Sequence, residues 1–220
     1  MTSGSQSLWP VLFEALGQTL QMVFVTLGIG GLAGLLLGLG LYTTRQGNLL
    51  SNRPVYFVLN LIVNIIRPIP FIIFISAMLP LTIKVTGTSF GPTAAIFPMS
   101  IMATVATSRI VEQNIVALDP GLIEAARAMG ASPLRIIATV IIPEALGPLI
   151  LGYTFLFVGI TDMSAMAGAV AGGGLGDFAI VYGYQRYNFV VTWIAVGVII
   201  VVVQLAQLVG NILARRVLRR

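Results

Sequence analysis

Ionisable side chains are scarce in this 220-residue chain: 12 Lys/Arg and 7 Asp/Glu, with no histidine and no cysteine. Those absences remove imidazole acid–base work, thiolate chemistry, disulfides and most donors for zinc or haem. No G-x-x-x-x-G-K-[ST] phosphate loop occurs either, so an ATP-driven process would take its hydrolysis from another chain. We assign no catalytic residue and no metal ligand. What remains are isolated charges within apolar stretches, and an ionisable group inside a membrane span is by default a pathway residue. Arg67 stands in Arg67-Pro68-Ile69-Pro70, and Asp162 opens Asp162-Met163-Ser164-Ala165-Met166. Arg67 either serves a pathway or snorkels to a nearby interface along its alkyl stem. Asp162 either lines a pathway in the outer half of the membrane or is a carboxylate at the outer interface. A lone aspartate without a basic partner in the spans is poorly suited to proton coupling. Arg67, Pro68, Pro70, Asp162, Met163, Ser164 and Met166 are the candidates for a pathway or gate.

The elements that must position these residues follow from composition. The chain is 57% hydrophobic and 9% charged, with a mean hydropathy of +1.00. Soluble domains carry about 25% charged residues, so these values describe a polytopic membrane protein. Its basic excess reads as a topology signal, with the bilayer as partner and no nucleic acid. A hydrocarbon core of about 30 Å needs about 20 apolar helical residues. Five segments meet that length, at about 20–42, 55–80, 92–110, 145–168 and 189–214. The expected fold is all-α, one domain of five transmembrane helices over residues 1–220, with span two kinked by its prolines. The N-terminal MTSGSQSLWP lacks a basic leader, so the first span is expected to be retained. Arg45 and Arg53, then Arg109, Arg127 and Arg135, then Arg215, Arg216, Arg219 and Arg220 all fall on one side of five spans. Lys84 and Arg186 fall on the other. The positive-inside rule places the N-terminus outside and the C-terminus in the cytoplasm.

Two glycine patterns accompany the spans. Gly30, Gly34 and Gly38 repeat every four residues, with Gly28 and Gly31 beside them, and let a helix backbone approach closely. The partner helix could belong to this chain or to another copy. The outer run from Ala169 to Gly176, AVAGGGLG, is expected to be a mobile or tightly packed gate segment. Tyr182, Tyr184 and Tyr187 after it suit an interfacial aromatic belt.

The charges between spans three and four have a different character. Asp119-Pro120 is an N-cap followed by proline at the first helical position, and Gly130 suits a left-handed helix end. Ser132-Pro133 starts a second helix by the same device. A cytoplasmic helical hairpin is therefore expected over 119–143. On its first helix Leu122, Ala125, Ala126 and Met129 share a face, and Glu124 neighbours Arg127 at i,i+3. Small residues there favour docking against a protein over lying on lipid.

Glu124-Ala125-Ala126, Gly130 and Pro143 keep the spacing of the E-A-A-x3-G-x9-I-x-L-P signature and so resemble the permeases of ABC importers. Val140 stands for the signature's Ile and Ile142 for its Leu. Arg67-x-x-Pro70, Ser164-Ala165-Met166, AVAGGGLG and Tyr182-Gly183-Tyr184 extend the similarity to methionine ABC transporter permeases, over roughly residues 10–220. Asp162-Met163 departs from that pattern. The resemblance implies a type I importer fold in a bacterial inner membrane, in which two copies form the translocation path. It implies two cytoplasmic ATPase subunits, which bind ATP and Mg, and an outer substrate-binding protein. No cofactor is expected in this chain. Glu124, Ala125, Ala126, Arg127, Gly130 and Pro143 would couple the hairpin to the ATPase. Alternatives are a permease for another small amino acid or peptide, a secondary carrier, or a membrane scaffold.

Overall fold

Four long apolar helices dominate the chain, and each extends beyond the apolar run that marks it in sequence. The computed structural model describes residues 8–218. Residues 1–7, and Arg219 and Arg220 among the topology charges, lie outside the described residues. Helix α1 runs Trp9–Thr44, α5 Gly91–Val116, and α10 Phe189–Leu218. The fourth long stretch, Pro133–Ala169, is 37 residues, built from α7 (Pro133–Ile136), a π-helical turn (Ile137–Ile141) and α8 (Ile142–Ala169). At 36 residues, α1 is about 54 Å long, well beyond the bilayer core. A hydropathy window finds where a helix is apolar, not where it ends.

Span two departs from the expectation of one kinked helix over 55–80. It is α2 (Arg53–Ile66) and α3 (Phe71–Ala77), bent by 103° across the break, followed by α4 (Leu79–Thr86). Pro68 and Pro70 supply no backbone donors, so the ladder stops at the Arg67 N–H, which bonds to the Val63 carbonyl at 3.0 Å. It restarts when Pro70, with ψ 133°, offers its carbonyl to the N–H groups of Ile73 and Phe74. The remaining short elements are α6 (Pro120–Ala128) and α9 (Gly174–Asp177), the latter followed by a π-helical run (Phe178–Gly183) and a 3-10 turn (Tyr184–Arg186). All described regular structure is helical, and the fifth span exists only as the bent pair.

The chain divides into two compact units. One gathers residues through Ile29 with Ile69–Met102 and Phe157–Leu205. Its core joins Leu12 and Ala15 of α1 to Leu175, Phe178, Val191 and Ala195. The glycine-rich run here is the packed alternative. Gly172, Gly174 and Gly176 are buried. A Cβ on Gly176 would sit 2.7 Å from the Ala165 Cα, and one on Gly172 would sit 2.6 Å from the Ala167 carbonyl oxygen. Two side chains that sequence reasoning passed over pin the run to α1. The Gly174 N–H donates to Gln18 Oε1 at 2.7 Å, and the Leu175 N–H donates to Thr19 Oγ1 at 2.8 Å.

The other unit comprises Gly30–Pro68, Ala103–Leu156 and the chain from Ala206 on. Within it the α1 glycine stripe meets α5 of the same chain. A Cβ on Gly34 would lie 2.7 Å from the Thr104 carbonyl oxygen, and one on Gly38 would lie 2.6 Å from that of Ser108. Gly31 receives Tyr153, whose hydroxyl donates to the Gly31 carbonyl at 2.7 Å. Gly28 is exposed with open space around it, whereas Gly30 is buried.

Candidate coupling hairpin and intramembrane polar groups

The hairpin assembles from local rules. Asp119 caps α6, its Oδ1 accepting from the Gly121 N–H at 2.8 Å, and Pro120 needs no donor at the first position. At the far end Gly130 adopts φ +78°. Its N–H bonds to the Arg127 carbonyl at 2.9 Å, and the Ala131 N–H reaches back to Ala126 at 3.1 Å. Those two bonds make a Schellman stop, which satisfies carbonyls a helix end would leave unpaired. The second helix start differs from its expected device. Ser132 makes no side-chain cap, and only its carbonyl accepts from Ile136, at 2.9 Å. Pro133 and the extended Ser132 backbone are enough to begin the turn.

Nor does the hairpin end at Pro143. A proline inside a helix collides with the carbonyl four residues earlier, here that of Thr139. The π-helical turn relieves this, because its wider ring lets the Ile142 N–H bond to Ile137, five residues back. The second arm therefore passes without a break into α8.

Packing decides which face the hairpin presents. Ala126 is 4% exposed and joins Ile136, Ile141, Ala145 and Leu149 with Val111, Ile115 and Tyr42 in one core. The shared face expected for Leu122, Ala125, Ala126 and Met129 is thus split: Ala126 packs on its own chain, while the other three point outward. Glu124, Arg127 and Gly130 are also exposed, and Met129 and Leu134 are 81% and 74% exposed. Glu124 and Arg127 form no ion pair among the described residues. The hairpin is clamped to the core by Ala126, Ile136 and Ile141 and offers charge and three large apolar side chains, Leu122, Met129 and Leu134, outward.

The pathway candidates are divided between the two units. Arg67 and Pro68 belong to the hairpin-bearing unit, where both are exposed at the helix break. Pro70 and the residues 162–166 belong to the other unit. There Asp162 and Met166 are exposed one turn apart on α8, Met163 is half-buried, and Ser164 turns inward to donate to the Thr161 carbonyl at 2.7 Å. Sequence reasoning had treated Arg109 as a topology charge. Its amines instead donate to Glu112 at 2.6 Å and to the side-chain oxygens of Asn60 and Asn64 at 2.7 Å each. This tie between α2 and α5 is largely desolvated, with the Arg109 and Glu112 side chains 15% and 10% exposed. Both asparagines lie one turn apart on α2, a spacing visible in sequence, but their partner is 45 and 49 residues away. Among the described residues no three metal-ligating side chains of His, Cys, Asp or Glu cluster.

Long apolar helices and a hairpin with an exposed outer face make this an all-α, polytopic membrane protein. Residues 30–219 match the family described as the binding-protein-dependent transport system inner membrane component, and the chain belongs to that family. It is 42% identical over 207 residues to the probable D-methionine transport system permease protein of Vibrio cholerae, covering 94% of this chain and 92% of that one. It is 41% identical over 209 residues to the counterpart in Pasteurella multocida, covering 95% and 96%. Among solved structures, an inward-facing conformation of the MetNI methionine ABC transporter superposes with a TM-score of 0.94 at 39% identity, covering 97% and 99%.

Proposed function

We propose that this chain is the permease subunit of an ATP-driven methionine importer, forming the translocation path while a separate ATPase supplies the energy. The observation that carries the coupling role is the hairpin. Its inner side is locked to the core through Ala126, and its second arm is continuous with the long span α8. Force applied to Glu124, Ala125, Arg127 or Met129 would reach α8 through the Gly130 turn and the α7 helix. The substrate reading rests on relatives and a solved transporter named for methionine at about 40% identity over nearly the whole chain.

In this reading two copies of the chain pair around the path, and each receives one cytoplasmic ATPase subunit, which holds ATP with its Mg²⁺. An outer substrate-binding protein delivers the amino acid. The chain lies in a bacterial inner membrane with its N-terminus outside and its C-terminus and hairpin in the cytoplasm, as the arginine distribution favours. Closure of the ATPase pair draws the two hairpins together and swings the spans between inward-open and outward-open states. Glu124 makes polar contact with the ATPase, Ala125 permits close approach, and Gly130 sets the pivot. Pro143 marks where the hairpin arm enters the span.

Reconstitution tests this directly. Proteoliposomes holding the chain, its ATPase and its binding protein should accumulate methionine only with ATP inside the compartment that faces the ATPase. Concentrative uptake by the chain alone would overturn the proposal and favour a secondary carrier. Uptake of a different amino acid by the full assembly would keep the machine and change the cargo.

A further inference from the structure

We propose that the segment joining α1 to α2 binds the phosphate of an anionic phospholipid in the cytoplasmic leaflet, with Arg45 and Arg53 as its ligands. The leaflet follows from the orientation proposed above; the site itself follows from the structure. Arg45, Gln46, Arg53, Pro54, Tyr56 and Phe57 line a cavity of about 740 Å³ that has two guanidinium groups and no carboxylate. Neither guanidinium group has a hydrogen bond or ion pair among the described residues. A neighbouring cavity of about 500 Å³ shares Arg45 but also holds Glu112, and there Arg109 is already neutralised at 2.6 Å. That second cavity is also lined by Arg67, whose guanidinium is unpaired among the described residues, but only the first brings two unpaired guanidinium groups together without a carboxylate.

The frame that presents them is tightly bonded. Gly47 turns the chain at φ +87°, the Asn48 N–H returns to the Arg45 carbonyl at 3.0 Å, and Leu50 and Asn52 bond back to Thr43 and Thr44 at 3.0 and 2.9 Å. Asn52 then caps α2 through the Val55 N–H at 3.2 Å. Little ordering is left to be done when a ligand arrives, which favours binding. Immediately beyond the arginines, α2 shows an exposed apolar face of Phe57, Val58, Leu61, Ile62 and Ile65. Inorganic phosphate or an acidic peptide would engage the arginines alone and make no use of that face. A phospholipid satisfies both, with the headgroup on the arginines and an acyl chain along α2.

The test is lipid retention by the full-length chain, in complex with its ATPase, released from micelles for native mass spectrometry. Dioleoyl phosphatidylglycerol should be held about thirtyfold more tightly than dioleoyl phosphatidylcholine, the scale of two arginines near a lipid surface. R45Q/R53Q should abolish that preference, and R53Q alone should reduce it about fivefold, keeping the test open should the double variant not assemble. R45K/R53K should keep most of it, and R215Q/R216Q, at the far end of α10, should leave it unchanged. Equal retention of both lipids by the native protein would overturn the proposal. So would an unaltered preference in R45Q/R53Q, or full displacement of phosphatidylglycerol by inorganic phosphate. The measurement reads neither sidedness nor uptake, so its failure would leave the importer reading untouched.

Discussion

Substituting Gly130 isolates the coupling pivot from the rest of the permease. Gly130 holds φ +78°, and nothing lies within 4 Å of where its Cβ would be. The cost of a side chain there is thus backbone strain alone, about 1–2 kcal/mol for alanine and toward 3 kcal/mol for a β-branched residue. Asparagine tolerates the left-handed region best among non-glycine residues and should cost least. At about 1.4 kcal/mol per factor of ten, valine should deplete the Schellman turn by tenfold or more if alternative turns lie close in energy. The spans do not depend on that turn, since α6 and α7 are each held to the core by Ala126 and Ile136. Membrane insertion and detergent melting should accordingly stay near the native values. The assay is uptake and transport-coupled ATP hydrolysis in proteoliposomes of the full assembly, for Gly130→Asn, Gly130→Ala and Gly130→Val. Activity should fall in that order, with asparagine close to native and valine down about tenfold. Full activity in Gly130→Val, or equal loss in asparagine and valine variants, would refute the reasoning.

Other substitutions separate packing from coupling. Ala126→Leu should overfill the core around Ile136 and Ile141 and cost about 1–3 kcal/mol, read as a lower melting temperature in detergent, whereas Ala125→Leu should leave melting unchanged and weaken copurification of the ATPase. Gly34→Val should destabilise the chain by forcing α1 away from the Thr104 carbonyl, while Gly28→Ala, in open space, should melt like the native protein. Removing the Gln18 and Thr19 acceptors as Gln18→Ala and Thr19→Val should each leave a backbone N–H unpaired at a cost of about 1–3 kcal/mol. Faster hydrogen exchange at Gly174 and Leu175 would register it. Burial raises the Asp177 carboxyl above its ordinary value. The folded state therefore holds that proton more firmly, and stability falls as pH rises from the ordinary carboxylate range through the raised value. Asp177→Asn should flatten that slope in melting experiments at acid pH.

The parts of this architecture written in short-range chemistry were legible before the structure. Asp119, Pro120, Gly130 and Pro133 act on their immediate neighbours, so the start of α6, the glycine turn and the start of α7 were readable from the sequence. Pro68 and Pro70 announced an interruption, but a missing donor says where a ladder stops and nothing about the 103° turn that follows. The direction of Ala126 was hidden because α6 has apolar residues on more than one side, and only the packing of Ile136 and Ile141 chooses among them. Ser132 misled because a hydroxyl before a proline resembles a cap even when its carbonyl is what receives the bond. Gln18 and Thr19 were invisible for a different reason: each meets its partner 156 residues away. Arg109 likewise looked like a topology charge until α2 brought Asn60 and Asn64 to it.

The central claim is that energy enters this chain through the exposed face of the hairpin, and the absence of cysteine makes that face easy to interrogate. Single cysteines at Ala125, Met129 and Ala126 can each be offered a bifunctional thiol–amine crosslinker in the assembled transporter, with uptake measured before and after. Ala125→Cys and Met129→Cys should yield ATPase adducts and arrest ATP-driven methionine uptake, while buried Ala126→Cys should yield none. Unimpeded uptake after ATPase crosslinking at Ala125 or Met129, or no adduct at either position in an actively transporting assembly, would contradict the account.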